Sequence, residues 1–246
     1  MAAELVRLRV AMIAAIGGSA APAAKAATAT IPIVFATGGD PVELGLVDRL
    51  NRPGGNITGV TFFAAQLLQK QVGILHDLVP KAAVFGTLVN PDNPRHVADV
   101  DRVRAAARSL GLEVHVERAS RERDLDAAFG GFARHSVRAI IVAGDPTFTS
   151  LATRLAALAV QHALPAIYSS REMAEVGGLV TYGSSVTDST RQAGVYAGRI
   201  LKGDRPGDLP VVQPSKFELV INLKAAKAIG LDVSLQLQQL ADELIE

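Results

Sequence analysis

The 246-residue sequence contains no cysteine and no tryptophan, and only 4% of its residues are aromatic. Without cysteine there is no disulfide, no thiolate nucleophile, no cysteine-ligated zinc and no lipidated N-terminal cysteine, although exported proteins can also lack cysteine. The sequence also lacks an excess of charge, since 25 Lys and Arg residues almost balance 24 Asp and Glu residues. We therefore expect no nucleic-acid partner, because no net positive field would attract a polyanion.

Long apolar runs are missing as well. The run Val10–Ile16 is too short to cross a bilayer, so we expect no direct membrane insertion. The Ala-rich segment 20–29 resembles part of a secretory signal, but Gly17-Gly18-Ser19 is typical of a turn between a strand and a helix. We interpret the start as strand, turn and helix with no visible signal peptide, which predicts a cytoplasmic protein if this is the true start.

The sequence does contain short β-branched runs that alternate with helical stretches. This alternation predicts an α/β fold with parallel sheets flanked by helices. The predicted strands are Val10–Ile16, Ile31–Ala36, Ile57–Thr61, Ala83–Val89, Leu112–Glu117, Arg138–Ala143, Ala166–Tyr168, Leu179–Tyr182 and Phe217–Ile221. The predicted helices are Ala20–Ala29, Ala64–Leu78, Arg95–Leu110, Arg121–His135, Phe148–His162, Asp188–Leu201 and Leu235–Leu244.

Three breaks predict that the chain crosses between two lobes. Pro80-Lys81 breaks the chain between a long helix and the strand Ala83–Val89, a second break follows Tyr182-Gly183, and residues 203–210 form a turn-rich connector. We expect residues 1–79 with 184–203 to form lobe 1, and residues 80–183 with 204–246 to form lobe 2. Three crossing segments would make a hinge.

Polar or aromatic residues follow several of the predicted strands, and these are the candidate binding residues. In open α/β sheets, ligands bind outside the carboxyl ends of the strands. Phe62 and Phe63 follow one strand, and the other strand ends supply amides, carboxylates and one arginine. The candidate ligand-binding residues are Thr37, Gly38, Gly39, Asp40, Phe62, Asn90, Asn93, Asp145, Thr147, Phe148, Ser170 and Arg171.

The first two groups of candidates have structural alternatives. Thr37–Asp40 lacks the lysine and the glycine spacing of nucleotide-binding loops, so a turn explains it better than an anion site. Asn90 and Asn93 each precede a proline, a pattern that favours Asx turns whatever the function. For Asn90 and Asn93, turn formation and ligand contact are equally good explanations.

The remaining candidates also have alternatives. Asp145 could cap the helix near Phe148, although we favour ligand contact. The guanidinium of Arg171 suits capture of a carboxylate, but pairing with Glu172 or Glu175 explains it equally well. For Phe62 and Phe148, core packing is the default explanation.

We find no catalytic constellation in the sequence. None of the five histidines shows the i, i+4 spacing of a helical metal pair, and no Gly-x-Ser-x-Gly nucleophile elbow occurs. We therefore predict no enzymatic activity, no catalytic residue, no cofactor and no metal site. The histidines, interpreted as surface or packing residues, are His76, His96, His115, His135 and His162.

Several long blocks closely resemble an ABC-transporter substrate-binding family that includes tryptophan- and tyrosine-binding proteins. The resemblance covers essentially the whole chain, so it is far more specific than any single motif. The blocks are Thr30–Pro41, Leu50–Val60, Leu75–Lys81, Gly178–Gly183, Arg191–Gly203, and Leu209-Pro210 through Phe217–Lys224.

The resemblance implies a type I periplasmic-binding fold, with two lobes that close on a small solute in the interlobe cleft. It also implies ABC permease partners and a periplasmic location. By position, Thr37–Asp40, Asn90–Asn93, Asp145–Phe148 and Ser169–Arg171 correspond to cleft loops of the family. Family members that bind aromatic amino acids carry acidic residues in the last loop, whereas Ser170 and Arg171 here favour an organic anion over an amino acid.

Family members normally have a further strand, helix and strand before the segment that opens at Met1. The sequence therefore resembles an N-terminally shortened member. An incomplete lobe 1 would expose apolar area, and each Å² left exposed loses roughly 25 cal/mol of stabilisation by burial. We therefore also expect that lobe 1 could associate with a partner chain that covers this area. The alternatives to transport are a ligand-sensing module that shares the fold and, least favoured, an enzyme on a doubly wound sheet.

Overall fold

The structure of the protein is a computed structural model that describes residues 1–17, 19–62, 64–214 and 217–246. The side chains of residues 64–66 are outside this description. Gly18 in the predicted first turn and Phe63 at a predicted strand end also lie outside the described residues.

The secondary structure follows the predicted alternation of strands and helices. In the described residues the strands are β1 (Ile13–Ile16), β2 (Ile33–Thr37), β3 (Ile57–Thr61), β4 (Val84–Val89), β5 (Glu113–Arg118), β6 (Ala139–Val142), β7 (Ala166–Tyr168), β8 (Val180–Gly183), β9 (Glu218–Asn222) and β10 (Glu243–Ile245). The helices are α1 (Ala2–Arg7), α2 (Ala20–Ala27), α3 (Ala64–Leu78), α4 (His96–Ser109), α5 (Glu122–Arg134), α6 (Pro146–Ser150), α7 (Ala152–Gln161), α8 (Glu172–Glu175), α9 (Val186–Leu201), α10 (Leu223–Ala228) and α11 (Leu235–Leu240), with a 3-10 turn at Pro206–Asp208.

The chain divides into two compact units. Unit 1 comprises Met1–Phe63 and Ser185–Lys216, and unit 2 comprises Ala64–Ser184 and Phe217–Glu246. Each unit has its own sheet.

Unit 1 is built on a parallel sheet with the strand order β1-β2-β3. Every residue of β2 is buried, as expected of a parallel strand covered on both faces. One core cluster joins Ile33 and Phe35 to helix α2, and a second joins Val34 and Ala36 to helix α9. Helices therefore flank both faces of this sheet.

Unit 2 is built on a sheet with the strand order β10-β9-β8-β7-β6-β4-β5. All neighbouring strands are parallel except β8 and β9, which are antiparallel. From β4 the chain runs outward to β5 on one side and returns through β6, β7 and β8 on the other. The strand order therefore reverses between β4 and β6, which makes their carboxyl ends a topological switch point.

The predicted α/β fold with helix-flanked parallel sheets is confirmed, with local errors in two predicted helices. The predicted helix Phe148–His162 is two helices, α6 and α7, which meet at Leu151. The predicted helix Leu235–Leu244 ends at Leu240, because Ala241 is extended and the chain then forms β10. Asp242 anchors this strand: its backbone N–H donates to Leu219 O at 2.8 Å, and its side chain accepts from Leu219 N at 2.9 Å. Sequence reasoning missed this contact because it joins segments far apart in the chain.

The division into units differs from the predicted lobe boundaries in two segments. Helix α3 was predicted in lobe 1 but belongs to unit 2, because Val72 and Leu75 pack in the same core as Phe85. Residues 204–216 were predicted in lobe 2, but the segment belongs to unit 1, where Val211 N donates to Leu50 O at 2.7 Å.

In the described ranges, no helix combines the length and the apolar character needed to cross a bilayer.

Candidate functional site

The loops after β4 and β6 meet at the switch point of unit 2. Asn90 directly follows β4, and Asp145 follows β6 as the N-cap of helix α6. Both residues are buried, as is Asn93 in the first loop. Because ligands of doubly wound sheets bind outside such a reversal, this is the region of unit 2 where a ligand site is expected.

Asp145 joins the two loops through its carboxylate. Oδ1 accepts from Asn90 Nδ2 at 3.0 Å and from the backbone N–H of Thr147 at 2.8 Å. Oδ2 accepts from Asn93 Nδ2 at 2.8 Å. A charged acceptor with three donors holds both loops and the start of α6 in one arrangement.

The side-chain oxygens of the two asparagines are engaged as well. Asn90 Oδ1 accepts from the backbone of Asp92, and Asn93 Oδ1 accepts from the backbone of Arg95, both at 3.0 Å. These are the Asx turns that the Asn-Pro sequences favour. The four predicted residues Asn90, Asn93, Asp145 and Thr147 thus lie in one hydrogen-bonded network, which we call the Asp145 network.

A buried ion pair lies next to the Asp145 network. Arg95 Nη2 is 3.0 Å from Asp99 Oδ2 and also donates to the backbone oxygen of Gly144 at 3.3 Å. The side chains of Arg95 and Asp99 are only 7% and 4% exposed. Burial raises the pKa of Asp99 above its ordinary value, and the charge of Arg95 opposes that rise.

A small, shallow depression lies at the ends of β6 and β7. Three predicted residues line it together with groups that were not predicted. The lining residues are Val142, Ala143, Gly144, Asp145, Phe148, Thr149, Tyr168, Ser169, Ser170 and Met173. The structure thus brings Asp145, Phe148 and Ser170 to one concave surface, which we call the strand-end depression.

Tyr168 is the most informative residue of the strand-end depression. Its side chain is 1% exposed, and its hydroxyl has no hydrogen-bond partner among the described residues. Burial also raises the pKa of the hydroxyl, so it stays protonated and can donate. Buried hydroxyls are nearly always paired, so this one has hydrogen-bonding capacity to offer to a bound molecule.

Arg171 is engaged by two carboxylates of unit 2. Its Nη2 lies 2.8 Å from Glu243 on β10, and its Nη1 contacts Glu175 on α8. The hydrogen bond to Glu243 raises the pKa of Arg171 further. Arg171 directly follows Ser170 in the chain but is not among the residues that line the strand-end depression.

In unit 1 the candidate residues form a separate polar loop after β2. Thr37 Oγ1 accepts from Gly39 N at 3.2 Å, and Asp40 Oδ1 accepts from Val42 N at 2.7 Å. Gly38 is buried between them. Phe62 donates its backbone N–H to Thr37 O at 3.0 Å, and its partly buried ring packs against the core beside α9.

Sequence reasoning missed two residues of this region. Arg95 was interpreted as the first residue of a helix, and Tyr168 as the end of a strand. A lone arginine beside an Asn-Pro turn carries no signal that it is buried. A tyrosine that precedes polar residues at a strand end is a usable signal, since strand ends are where ligands bind.

Solved structures define the class of protein to which this architecture belongs. A conserved domain protein from Vibrio cholerae is 26% identical with a TM-score of 0.88, and the match covers 99% of this chain and 81% of that one. An ABC domain from Streptococcus pneumoniae in complex with L-Trp is 28% identical with a TM-score of 0.86, covering 100% and 84%. The fold is that of the type I periplasmic-binding-like proteins, as predicted.

The family follows from a match along nearly the whole sequence. Residues 1–245 match the family described as ABC transporter substrate binding protein, and the chain belongs to this family. A tyrosine-binding protein from Clostridioides difficile (strain R20291) is 28% identical over 220 residues. That match covers 89% of this chain but only 63% of the relative, so the chain spans less than two thirds of the relative's length. The predicted family is confirmed.

Proposed function

We propose that this protein is the solute-binding component of an ABC importer and that it captures a small organic molecule without changing it chemically. The family match supports a solute-binding role, and the strand-end depression supplies a small concave surface at the expected edge of the sheet. ABC permease subunits would be the partners that receive the solute, and a periplasmic location would follow. The alternative of a ligand-sensing module is not favoured by the family match.

The observation that carries this proposal is the unpartnered hydroxyl of Tyr168. Tyr168 is a lining residue of the depression, as are Ser170 and Asp145. A protein that only packed its core here would gain by having phenylalanine, because a buried hydroxyl without a partner costs roughly 1–3 kcal/mol. A bound solute with a hydrogen-bond acceptor would remove that cost.

The ligands named for relatives suggest which solutes to test first. One relative is called a tyrosine-binding protein, and another was solved with L-Trp, each 28% identical to this chain. Amino acids are therefore the first class, and small organic anions are the second because of Ser170 and Arg171. Anion capture by Arg171 would require it to exchange one of its two carboxylate partners.

The test is calorimetric titration of the full chain with the natural amino acids and with a series of small carboxylates. We expect saturable binding of at least one compound and full recovery of that compound by mass spectrometry after long incubation. Turnover of the bound compound would overturn the proposal in favour of an enzyme. Absence of binding by every compound would overturn the proposed solute class.

A further inference from the structure

Unit 2 contains a second chemistry-bearing cluster, formed by two histidines and one glutamate. His115 and Glu117 lie two residues apart on β5, which places both side chains on one face of this edge strand. His135 follows the last residue of helix α5. One potential metal-ligand atom from each of the three residues lies within 4.8 Å of the others. We call this group the His-Glu-His cluster.

The first contact in the cluster joins an imidazole to a carboxylate. His115 Nε2 lies 2.8 Å from Glu117 Oε1. The ring of Phe132 meets the His115 ring edge-on, with centroids 6.4 Å apart. An imidazole and a carboxylate that share one proton can bind a metal ion in place of that proton.

The second histidine is held in the tautomer that a metal ligand requires. His135 Nδ1 lies 2.9 Å from the backbone oxygen of Gly131. A carbonyl oxygen only accepts, so Nδ1 carries the proton, and Nε2 of the neutral ring keeps its lone pair. Donation of the other ring N–H to a backbone carbonyl is typical of metal-bound histidines.

The position of the carboxylate depends on a glycine in the neighbouring helix. A Cβ atom at Gly131 would lie 1.8 Å from Glu117 Oε1. Only glycine at this position of α5 lets the glutamate side chain lie against the helix beside His135. The same glycine thus supplies the carbonyl that orients one ligand and the space that another ligand occupies.

Coordination requires a small rearrangement of the rings. The His115 and His135 rings are stacked with centroids 3.7 Å apart and planes 16° apart. A metal ion lies near the plane of each imidazole that binds it, so the His115 ring must rotate, because rotation of His135 would break its hydrogen bond to Gly131. Rotation about the last side-chain torsion of histidine is a soft motion. Coordination also requires the ligand atoms to lie about 3.5 Å apart, the separation that metal bonds of about 2.0–2.2 Å impose.

We propose that His115, Glu117 and His135 bind a divalent transition-metal ion of the zinc class, with solvent completing its coordination. Two imidazoles and one carboxylate suit zinc, whereas calcium and magnesium prefer oxygen ligands only. The side chains of His115 and Glu117 are 25% and 23% exposed and His135 is exposed, so an ion can enter from solvent. The ion would tie the edge strand β5 to the end of α5.

The test uses the full chain without a polyhistidine tag, stripped of metal with a chelator. Zn²⁺ is titrated in competition with a chromophoric chelator, and Co²⁺ absorption reports the ligand geometry. We expect a single saturable site per chain. His115→Gln and His135→Gln should each weaken Zn²⁺ binding at least about tenfold, since losing even an outer-shell partner costs that much.

Two further variants separate ligation from general effects on the fold. His162→Gln removes a histidine at the end of α7, outside the cluster, and should leave Zn²⁺ affinity unchanged. At one fixed Zn²⁺ concentration, the melting temperature should rise for the wild type and for His162→Gln by more than for His135→Gln. Absence of saturable binding would overturn the proposal, as would equal affinity in the wild type and both ligand variants.

Discussion

Asn93 donates its side-chain amide to Asp145 Oδ2 at 2.8 Å, which links the loop after β4 to the loop after β6. These two strands flank the point where the strand order of unit 2 reverses. The sequence separates the two residues by 52 positions, and the sheet brings them together. The carboxylate is therefore first a structural acceptor at the candidate site, and any contact with a solute depends on the loops that it holds.

Replacing Asp145 with Asn should destabilise the protein, because one side-chain oxygen becomes a donor. Either the Asn93 amide or the Thr147 backbone N–H then loses its acceptor. This loss should lower the free energy of unfolding by about 1–3 kcal/mol. Urea denaturation measures the change. The matched control is Asp126→Asn, an exposed partner of Arg154, which should cost no more than about 0.5 kcal/mol. Equal effects would contradict the central role of Asp145.

Tyr168→Phe should weaken solute binding without weakening the fold. The hydroxyl has no partner among the described residues, so its removal leaves nothing in the protein unpaired. A solute that accepts a hydrogen bond from it should lose about 0.5–1.5 kcal/mol of binding free energy, measured by calorimetry.

The control for Tyr168 is the other buried tyrosine, Tyr196 in unit 1. Its hydroxyl donates to Pro210 O at 2.6 Å, so Tyr196→Phe leaves that carbonyl without this donor. This variant should lose about 0.5–1.5 kcal/mol of stability and retain solute affinity. If Tyr168→Phe instead destabilises the fold and leaves affinity unchanged, the hydroxyl has no role in binding.

Much of the fold could be predicted because local patterns and packing agree. The predicted and observed bounds coincide for β3, a short buried β-branched run, and for α3, where apolar residues recur at helical spacing. The end of the chain was mispredicted because the tie between Asp242 and Leu219 is a tertiary contact with no local signal. Tertiary context overrides helix propensity at such places.

The candidate site was predictable in position but not in detail. The rule that ligands bind at strand ends selected loops that the structure brings together in the Asp145 network, and their contact with a ligand stays a prediction. Pairing of side chains was not predictable, and Arg171 shows this, since Glu243 lies 72 residues away in the chain. The His-Glu-His cluster has no helical i, i+4 spacing that would reveal it, because its residues come from a strand and from a helix end far apart in the chain.

Arg171→Ala tests whether this arginine contacts the solute. The guanidinium is 37% exposed and pairs with two partly exposed carboxylates, so the loss of stability should stay below about 1 kcal/mol. If Arg171 holds an anionic solute, binding should weaken by about 1.5–3 kcal/mol. Unchanged affinity in calorimetry would place Arg171 outside the site. Its role would then be structural, as the salt-bridge partner of Glu175 on α8 and Glu243 on β10. Arg191→Ala, at an exposed pair with Asp188, is the control.

Arg95→Met should destabilise the protein strongly near neutral pH. Methionine fills similar space but leaves Asp99 buried without its main counter-charge, and breaking a buried pair on one side costs about 3–5 kcal/mol. The double variant Arg95→Met with Asp99→Leu should recover most of this loss, because no buried charge is left unpaired. Urea denaturation of both variants measures the difference.

The pH dependence of Arg95→Met gives an independent check. The pKa of Asp99 is already raised by burial in the wild type, and without Arg95 it should rise further. A folded-state pKa above the unfolded value means that the folded state binds the proton more tightly. The destabilisation should therefore be largest well above the raised pKa and should shrink as pH falls through it. A loss of stability that stays constant from neutral to mildly acidic pH would show that Arg95 acts through packing and not through the charge of Asp99.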